Sequence, residues 1–414
     1  MNTYAVIVLV ALLGEYLLSL AASVLNLQAM SPKVPAEFLG VYDADRYAKS
    51  QEYTRVRTRF GLGQGAVRLA VLLAFWQLGG FGWFDGIVRA QGWGQIGSGL
   101  LFIGGLMAAS VLGGLPFRLY STFVIEEQFG FNRMTMATFW ADRFKALTLT
   151  VVIGGALLSS ILFFFARAGW TAWLWCWGVA TLFMLVMLFV TPTWIMPLFN
   201  KFSPLGGGDL KEAILGYARS VAFPLNGIFV IDGSRRSSKA NAFFTGFGRH
   251  KRIALYDTLI AQQTVDELVA VVAHEVGHYK RKHVLERLIL ACARTGAMFW
   301  LLSFFIEQPG LFTAFGVAEP SVYAGLVFFG LLFTPIDLVL SITVHARSRQ
   351  NEFEADKFAV QTTGSSAPLV SALKKLSVET LSNLTPHPLT VALSYSHPPL
   401  LRRIAAMRAV AGRT

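Results

Sequence analysis

Seven long apolar runs constrain this chain more than any other feature, because each approaches the roughly 20 residues that a helix needs to cross a bilayer. The predicted spans are residues 4–26, 66–84, 97–117, 146–166, 172–195, 287–306 and 322–345. Charged residues make up only 14% of the chain and the mean hydropathy is +0.52, whereas soluble domains average about 25% charged residues. We therefore predict a mainly α fold, an integral membrane bundle of seven transmembrane helices.

The connections between these runs differ in their basic residues, and this difference predicts an orientation. Six Lys and Arg residues lie in residues 27–65 and four in residues 117–145, whereas the opposite side carries only Arg89 and Arg167. Because basic residues accumulate in cytoplasmic loops, we expect an extracytoplasmic N-terminus, with residues 196–286 and the tail after 345 in the cytoplasm. The membrane would be the bacterial inner membrane or the endoplasmic reticulum membrane, depending on the host.

The net charge of +12 would also suit a nucleic-acid-binding protein. The basic residues follow the membrane topology, however, and form no single recognition motif. We therefore expect the lipid bilayer, and no nucleic acid, as a partner of the basic surface.

Two ionisable residues, Arg294 and Asp337, lie deep inside predicted spans. Such groups are costly in lipid and usually face a bundle interior or a water-filled cavity. We expect them to line a chamber or to pair with each other.

The segment His274-Glu275-Val276-Gly277-His278 matches the metal-binding pattern HExxH. On a helix, residues four apart share one face, so His274 and His278 can bind one zinc ion. Glu275 could then take a proton from a water whose pKa zinc lowers from about 15.7 to about 7. The pattern predicts a zinc-dependent protease site; the simpler alternative is a surface helix with two chance histidines.

A third protein ligand is expected in Asn351-Glu352-Phe353-Glu354-Ala355-Asp356, directly after the last apolar run. We select Glu352 as the ligand. Asp356 is four residues further along the same helical face, where it could accept the ring N–H of a ligating histidine. Glu354 should point elsewhere, to solvent, and His283 should be structural or adjacent to a ligand. On spacing alone, the three acids could equally form the solvated face of a helix.

Four further segments, in their order along the chain, carry a family resemblance together with HEVGH and NEFEAD. They are Ile125-Glu126-Glu127 followed by Phe129-Gly130-Phe131-Asn132, Pro197-Leu198-Phe199-Asn200-Lys201-Phe202, Lys239-Ala240-Asn241-Ala242-Phe243-Phe244, and Ser396-His397-Pro398-Pro399-Leu400. Between about residues 120 and 405, this order resembles the type I CAAX prenyl endopeptidases, integral-membrane gluzincins. The resemblance implies seven helices around a water-filled chamber and one Zn²⁺ per chain.

The resemblance also implies residue roles and a substrate. Glu352 would be the third zinc ligand, Asn241 would line the substrate groove beside backbone that pairs with the peptide, and His397 would help to stabilise the oxyanion. From the residues alone, Asn241 is typical of a loop and His397, before two prolines, of a turn. The implied substrates are peptides or proteins that end in an isoprenylated CAAX sequence and are cleaved near that end.

Two short β-rich runs, residues 228–231 and 252–256, predict a small sheet before HEVGH. An exposed strand there would offer an edge to which an extended substrate could add. We therefore expect a cytoplasmic zincin-type metalloprotease cap that contains a small β-sheet. The predicted division is 1–195 with helices one to five, 196–286 with the cap and the HExxH helix, 287–345 with helices six and seven, and 346–414 as a cytoplasmic tail that completes the zinc site.

Two other functions stay open at this stage. A quality-control protease with a broad range of membrane-protein substrates could share the HExxH core, although seven spans and the SHPPL segment favour the CAAX type. A transporter or receptor with a vestigial HEVGH is a second alternative, but such a degenerate site would be free to lose its base, and Glu275 is intact.

Overall fold

The computed structural model describes residues 1–245 and 251–412, and most of them are helical. Within these residues, six helices are long and apolar enough to cross a membrane, and a bent pair, α2 and α3, forms a seventh candidate crossing. The predicted mainly α membrane protein is therefore confirmed. The helices are α1 Thr3–Gln28, α2 Ala44–Gln77, α3 Gly80–Ala90, α4 Gly94–Gln128, α5 Met136–Arg167, α6 Gly169–Phe199, α7 Asp209–Ser220, α8 Asp257–Gln262, α9 Val265–Lys280, α10 His283–Phe305, α11 Pro309–Ala314, α12 Val322–Thr363, α13 Ala367–Glu379, α14 Pro388–Ser394 and α15 Leu400–Ala411.

The second crossing differs from its prediction, because residues 66–84 do not form one straight helix. The chain turns at Gly79, and α2 and α3 meet at an angle of 65°. Gly79 has φ of 75°, a left-handed conformation that glycine adopts without a steric penalty. The glycines in this run thus mark a turn inside the apolar segment.

The membrane-spanning helices pack on one another through a large apolar cluster. Val8 of α1, Phe102 of α4 and Phe328 of α12 are fully buried in it. The Phe315 and Phe328 rings stack with their centroids 4.2 Å apart. Many other large apolar side chains of these helices stay exposed, as expected for a surface that faces lipid.

A four-stranded sheet lies between α6 and α9 along the chain, and the predicted small sheet is thereby confirmed. Its strands are β1 Phe202–Pro204, β2 Leu225–Ile231, β3 Ala242–Thr245 and β4 Lys251–Tyr256. Their order is β1-β2-β4-β3, with β2 and β4 parallel and the other pairs antiparallel. The two β-rich runs fall within β2 and β4. Among the described residues β3 is an edge strand, and it packs beside α9.

The long helix α12 joins the bundle of apolar helices to the part of the structure that contains the sheet and α9, which we call the cap. Its 42 residues run without a break across the predicted boundary at 345/346. The predicted boundaries at 195/196 and 286/287 likewise fall inside helices, α6 and α10. Helix α9 packs along the cap end of α12, so the HExxH helix rests on the continuation of a membrane helix.

Candidate active site

Helix α9 begins with a strong start signal. The Thr264 side chain accepts a hydrogen bond from the Glu267 backbone N–H, and Glu267 Oε2 accepts one from the Thr264 N–H at 2.8 Å, which is a capping box. Leu268, Val272 and Val276 are buried in the cap core. These contacts fix α9 so that the opposite face of the helix presents His274 and His278.

Gly277, inside HEVGH, lets α9 and α12 approach closely. A Cβ at this position would lie 3.1 Å from both the Cα and the carbonyl oxygen of Ala355, and 3.3 Å from Cβ of Phe358. Glu352 lies three residues before Ala355 on α12, and Asp356 directly follows Ala355. A residue without a side chain is therefore needed where the helix that carries Glu352 crosses the HExxH helix.

Three side chains converge where these helices meet, and their ligand atoms could hold a metal ion. His274 Nε2 lies 3.1 Å from His278 Nε2 and 3.5 Å from Glu352 Oε2, and His278 Nε2 lies 3.3 Å from Glu352 Oε1. Ligand atoms about 2.0–2.1 Å from a tetrahedral zinc lie roughly 3.3–3.4 Å apart. Glu352 Oε2 is also buried and accepts no hydrogen bond among the described residues. The donor set fits a divalent cation.

His274 is supported on its other ring nitrogen by a carboxylate. Its Nδ1 lies 2.9 Å from Asp356 Oδ1, as the spacing of Glu352 and Asp356 on one helical face predicted. Burial disfavours the protonated ring, but the carboxylates of Asp356 and Glu352 outweigh that effect and raise the pKa of His274 to about 9. A metal ion at Nε2 would compete with this second proton, so metal affinity should fall in acid.

His278 is supported by a second histidine. Its Nδ1 lies 3.0 Å from His283 Nδ1, and His283 Nε2 lies 3.3 Å from Glu354 Oε2. With Nε2 of His278 turned to a metal, its Nδ1 carries the proton and donates to His283 Nδ1. His283 Nε2 then donates to Glu354. His283 is fully buried next to a candidate ligand. Glu354 is not among the three candidate ligands, and its side chain is 41% exposed, as expected, although it also contacts His283.

Arg403 completes the site, although it was not singled out from the sequence. Its guanidinium donates two hydrogen bonds to the Asp356 carboxylate, at 2.7 and 2.8 Å, and Nη1 lies 3.3 Å from Glu352 Oε2. Arg403 is only 7% exposed, whereas the neighbouring Arg402 is exposed. The sequence signal for its burial was the position of Arg403 on the same face of α15 as the apolar residues Ile404 and Met407, which are also buried.

The remaining predicted residues surround this cluster at different distances. Glu275 is partly buried on α9, and burial raises the pKa of its carboxyl group, with the Glu352 carboxylate adding to the effect. His397 is exposed, and its Nε2 lies 3.4 Å from Glu352 Oε1. Asn241 lies just before β3, where its Oδ1 accepts a hydrogen bond from the Ala242 N–H at 2.9 Å and its carbonyl one from the Tyr256 N–H. Among the described contacts, Asn241 does not touch the three candidate ligands.

Two family models match the chain in succession. Residues 23–201 match the CAAX prenyl protease N-terminal model, described as five membrane helices, and residues 204–411 match Peptidase family M48. The chain belongs to peptidase family M48. This M48 chain is 37% identical over 384 residues to an Arabidopsis thaliana protein named CAAX prenyl protease 1 homolog, covering 91% of the chain and 90% of that protein.

Other relatives span similar lengths. CAAX prenyl protease 1 of Saccharomyces cerevisiae is 34% identical, covering 91% of this M48 chain and 88% of the yeast protein. The human CAAX prenyl protease 1 homolog is 32% identical with the same two coverages. The crystal structure of S. mikatae Ste24p superimposes with a TM-score of 0.93 at 30% identity, covering 98% of this chain and 99% of that one.

Family membership confirms the predicted class of enzyme. An M48 peptidase with these apolar helices is a multi-pass membrane metalloendopeptidase, and it acts on a peptide or protein substrate with the help of a metal ion. The predicted resemblance to type I CAAX prenyl endopeptidases is likewise confirmed. The identity of the metal and the roles of individual residues stay predictions.

Proposed function

We propose that this M48 peptidase is a zinc-dependent endopeptidase that cleaves prenylated CAAX-type substrates near their C-terminus. One observation carries the proposal: His274, His278 and Glu352 converge beside Glu275. The proposed substrate class comes from the relatives named CAAX prenyl protease 1, of whose length the chain covers 88–90%. CAAX denotes a C-terminal cysteine, two aliphatic residues and a variable last residue.

Zinc is the proposed metal because of the donor set. Two neutral imidazoles and one carboxylate are typical of catalytic zinc, which keeps a further position for water or substrate. His274, His278 and Glu352 would hold the ion. Asp356 and His283 would fix the ring orientation of the two histidines from behind, an arrangement that usually strengthens metal binding by 10–100-fold.

The reaction proposed for this site is hydrolysis of a peptide bond by water. Zinc, when bound, supplies a Lewis acid that polarises the scissile carbonyl and lowers the pKa of water to about 7. Glu275 takes the proton from the attacking water and passes it to the leaving amine. A positive ion nearby would oppose the effect of burial on the Glu275 pKa and keep the carboxylate able to accept a proton.

The substrate is held by backbone and by two polar side chains. An extended peptide adds to the edge of β3 that is unpaired among the described residues, beside α9, and Asn241 contacts the peptide at the start of that strand. His397 donates a hydrogen bond from Nε2 to the oxygen on which negative charge develops. The Ser396 hydroxyl lies 2.9 Å from His397 Nδ1 and can orient the ring.

The side of the membrane that carries the site follows from the Lys and Arg residues in the loops between the membrane-spanning helices. The cap and the metal site face the cytoplasm, in the endoplasmic reticulum membrane or, in a bacterial host, the inner membrane. A water-filled chamber inside the helix bundle explains Arg294 and Asp337, which form an ion pair and are each 41% exposed within membrane-spanning helices. An exposed ion pair within a membrane-spanning segment is costly if it faces lipid, but not if it faces water.

The test is a cleavage assay with purified protein in detergent. The substrates are a farnesylated CAAX peptide and its unprenylated twin, and Glu275→Gln is the blank. We expect zinc-dependent cleavage of the prenylated peptide, loss of activity after chelation with recovery on adding zinc, and a Glu275→Gln variant that binds zinc without cleaving. Equal cleavage of both peptides would favour a broad quality-control protease. Substantial activity of Glu275→Gln would refute the proposed mechanism.

A further inference from the structure

A cavity of about 630 Å³ opens beside the candidate metal site, within the usual size range of small-ligand pockets. It lies between α2, the segment before β3 and the C-terminal helices. His397 and Arg403 line one part of its wall, and Arg57 and Lys239 line another. We call it the Arg57 cavity. It connects the surroundings of the metal site with a second group of charged residues.

That second group has more positive than negative charge. Glu126 accepts hydrogen bonds from Lys239 Nζ at 2.7 Å and from Arg57 Nη1 at 3.0 Å, and the Tyr53 hydroxyl lies 2.6 Å from the same carboxylate. Lys239 Nζ also lies 4.2 Å from the Phe131 ring centroid, a cation–π contact. One carboxylate therefore fixes two cations, and a net positive charge is left over at the cavity wall.

Arg57 keeps hydrogen-bonding capacity that its neighbours do not use. Only Nη1 donates a hydrogen bond within the described part of the chain, to Glu126 and Tyr53. The side chain is 52% exposed, and Nε and Nη2 donate no hydrogen bond among the described residues. The guanidinium fork matches a carboxylate, which can accept two hydrogen bonds from it at once.

The basic group also lies along the proposed path of the substrate. Lys239 is two residues before Asn241 and three before the first residue of β3, the edge strand beside the HExxH helix. Leu376, Leu381 and Leu400 supply an apolar wall in the same cavity. Three extended residues span at most about 10–11 Å. A short aliphatic peptide that leaves the metal site through this cavity would end among cations.

We propose that Arg57 and Lys239 bind the free α-carboxylate of the substrate's last residue, with the preceding aliphatic residues against the leucine wall. The inference rests on the proposed function, since it assumes cleavage close to a C-terminus. It makes the enzyme measure the distance of the scissile bond from the end of the chain. Arg57 and Lys239 are then specificity-determining residues, distinct from the groups that perform hydrolysis.

The test compares two farnesylated CAAX peptides that differ only in a free or an amidated C-terminus. We expect the wild-type enzyme to prefer the free carboxylate by about 10–30-fold in kcat/KM, the lower end of what hydrogen bonds to a charged group contribute. Arg57→Gln should reduce this ratio to nearly one, whereas Arg57→Lys should retain part of it. The matched control is Arg55→Gln, because Arg55 pairs with Glu52 at 3.6 Å on the same helix and does not line the cavity. Its ratio should equal that of the wild type.

The outcomes separate this inference from the function on which it rests. A wild-type ratio near one, or an unchanged ratio in Arg57→Gln, overturns the carboxylate site while leaving the CAAX peptidase intact. An equal loss on both peptides in Arg57→Gln and Arg57→Lys also overturns it. If the wild type cleaves neither peptide, the proposed function itself is wrong.

Discussion

Replacing Gly277 by alanine tests whether the contact between α9 and α12 sets the geometry of the metal site. The new Cβ would lie 3.1 Å from two backbone atoms of Ala355, whereas carbon atoms pack at about 3.5–4.0 Å. Helix α12 must therefore move by roughly 0.4 Å or more. Ala355 is three residues after Glu352 and adjacent to Asp356, so the displacement reaches both carboxylates.

The magnitude follows from the tolerance of metal sites. Metal–ligand distances vary by only about ±0.2 Å, so a shift of roughly 0.4 Å should weaken zinc binding by about 10-fold. The effect on stability is smaller. Overpacking costs about 1–3 kcal/mol, and alanine for glycine in a helix gains about 1 kcal/mol. The free energy of unfolding should therefore fall by about 0–2 kcal/mol.

The assay is a competition for zinc between the purified variant and a chelator of known affinity, followed by peptide cleavage in excess zinc. The matched control is Gly216→Ala on α7, where a new Cβ would meet no atom within 4 Å. The control should keep wild-type zinc affinity and gain up to about 1 kcal/mol of stability. Wild-type zinc affinity in Gly277→Ala would refute the argument that this contact positions Glu352.

Two further predictions concern charges around the site. Arg403→Met should destabilise the metal-free protein by about 2–3 kcal/mol, because the buried Asp356 carboxylate loses both hydrogen bonds from Arg403 and keeps only His274 as a partner. The loss should shrink when zinc is bound, and Arg402→Met is the exposed control. Equal losses with and without zinc would contradict this. Burial raises the pKa of Glu267, but the contacts with Lys375, Ser371 and the Thr264 N–H together outweigh burial, and the net shift is downward. This stabilisation is present above about pH 4.3 and is lost as the pH falls through the folded pKa. In chelated protein, the Tm gap between wild type and Glu267→Gln should therefore close in acid, and a constant gap would refute the assignment.

The local part of the site could be predicted because helical periodicity places it. His274 and His278, and again Glu352 and Asp356, are spaced four residues apart, and both pairs share a helical face in the structure. The distance from His274 to Asp356 followed from that spacing once both were assigned to the metal site. The choice of Glu352 over Glu354 relied on the resemblance as well, because spacing alone allows a solvated face.

The tertiary part could not be read in the same way. Asp356 and Arg403 are 47 residues apart in the chain, and a run of arginines near the C-terminus is typical of an exposed basic helix. Burying one of them depends on which face of α15 packs on α12, a choice made by Ile404 and Met407 rather than by charge. The sequence predicted His283 to be structural or adjacent to a ligand, but which ligand it contacts could not be predicted, for a related reason. It begins a new helix after Lys282, whose φ of 61° reverses the chain and returns His283 to His278.

Hydropathy separates the membrane bundle from the cap at about residue 345, but in the structure one helix, α12, belongs to both. Helix α12 carries Asp337 in its apolar part and Glu352 fifteen residues later, so one rigid element of about 22 Å connects the paired charges in the bundle to the third candidate ligand. Helix α9 supplies two candidate ligands and α15 supplies Arg403. None of these helices holds a complete site by itself. A cap separated from the bundle would lose the packing that fixes α12. A displacement of α12 would move Glu352 and Asp356 together, because both lie on this helix, and would change both of their contacts with Arg403.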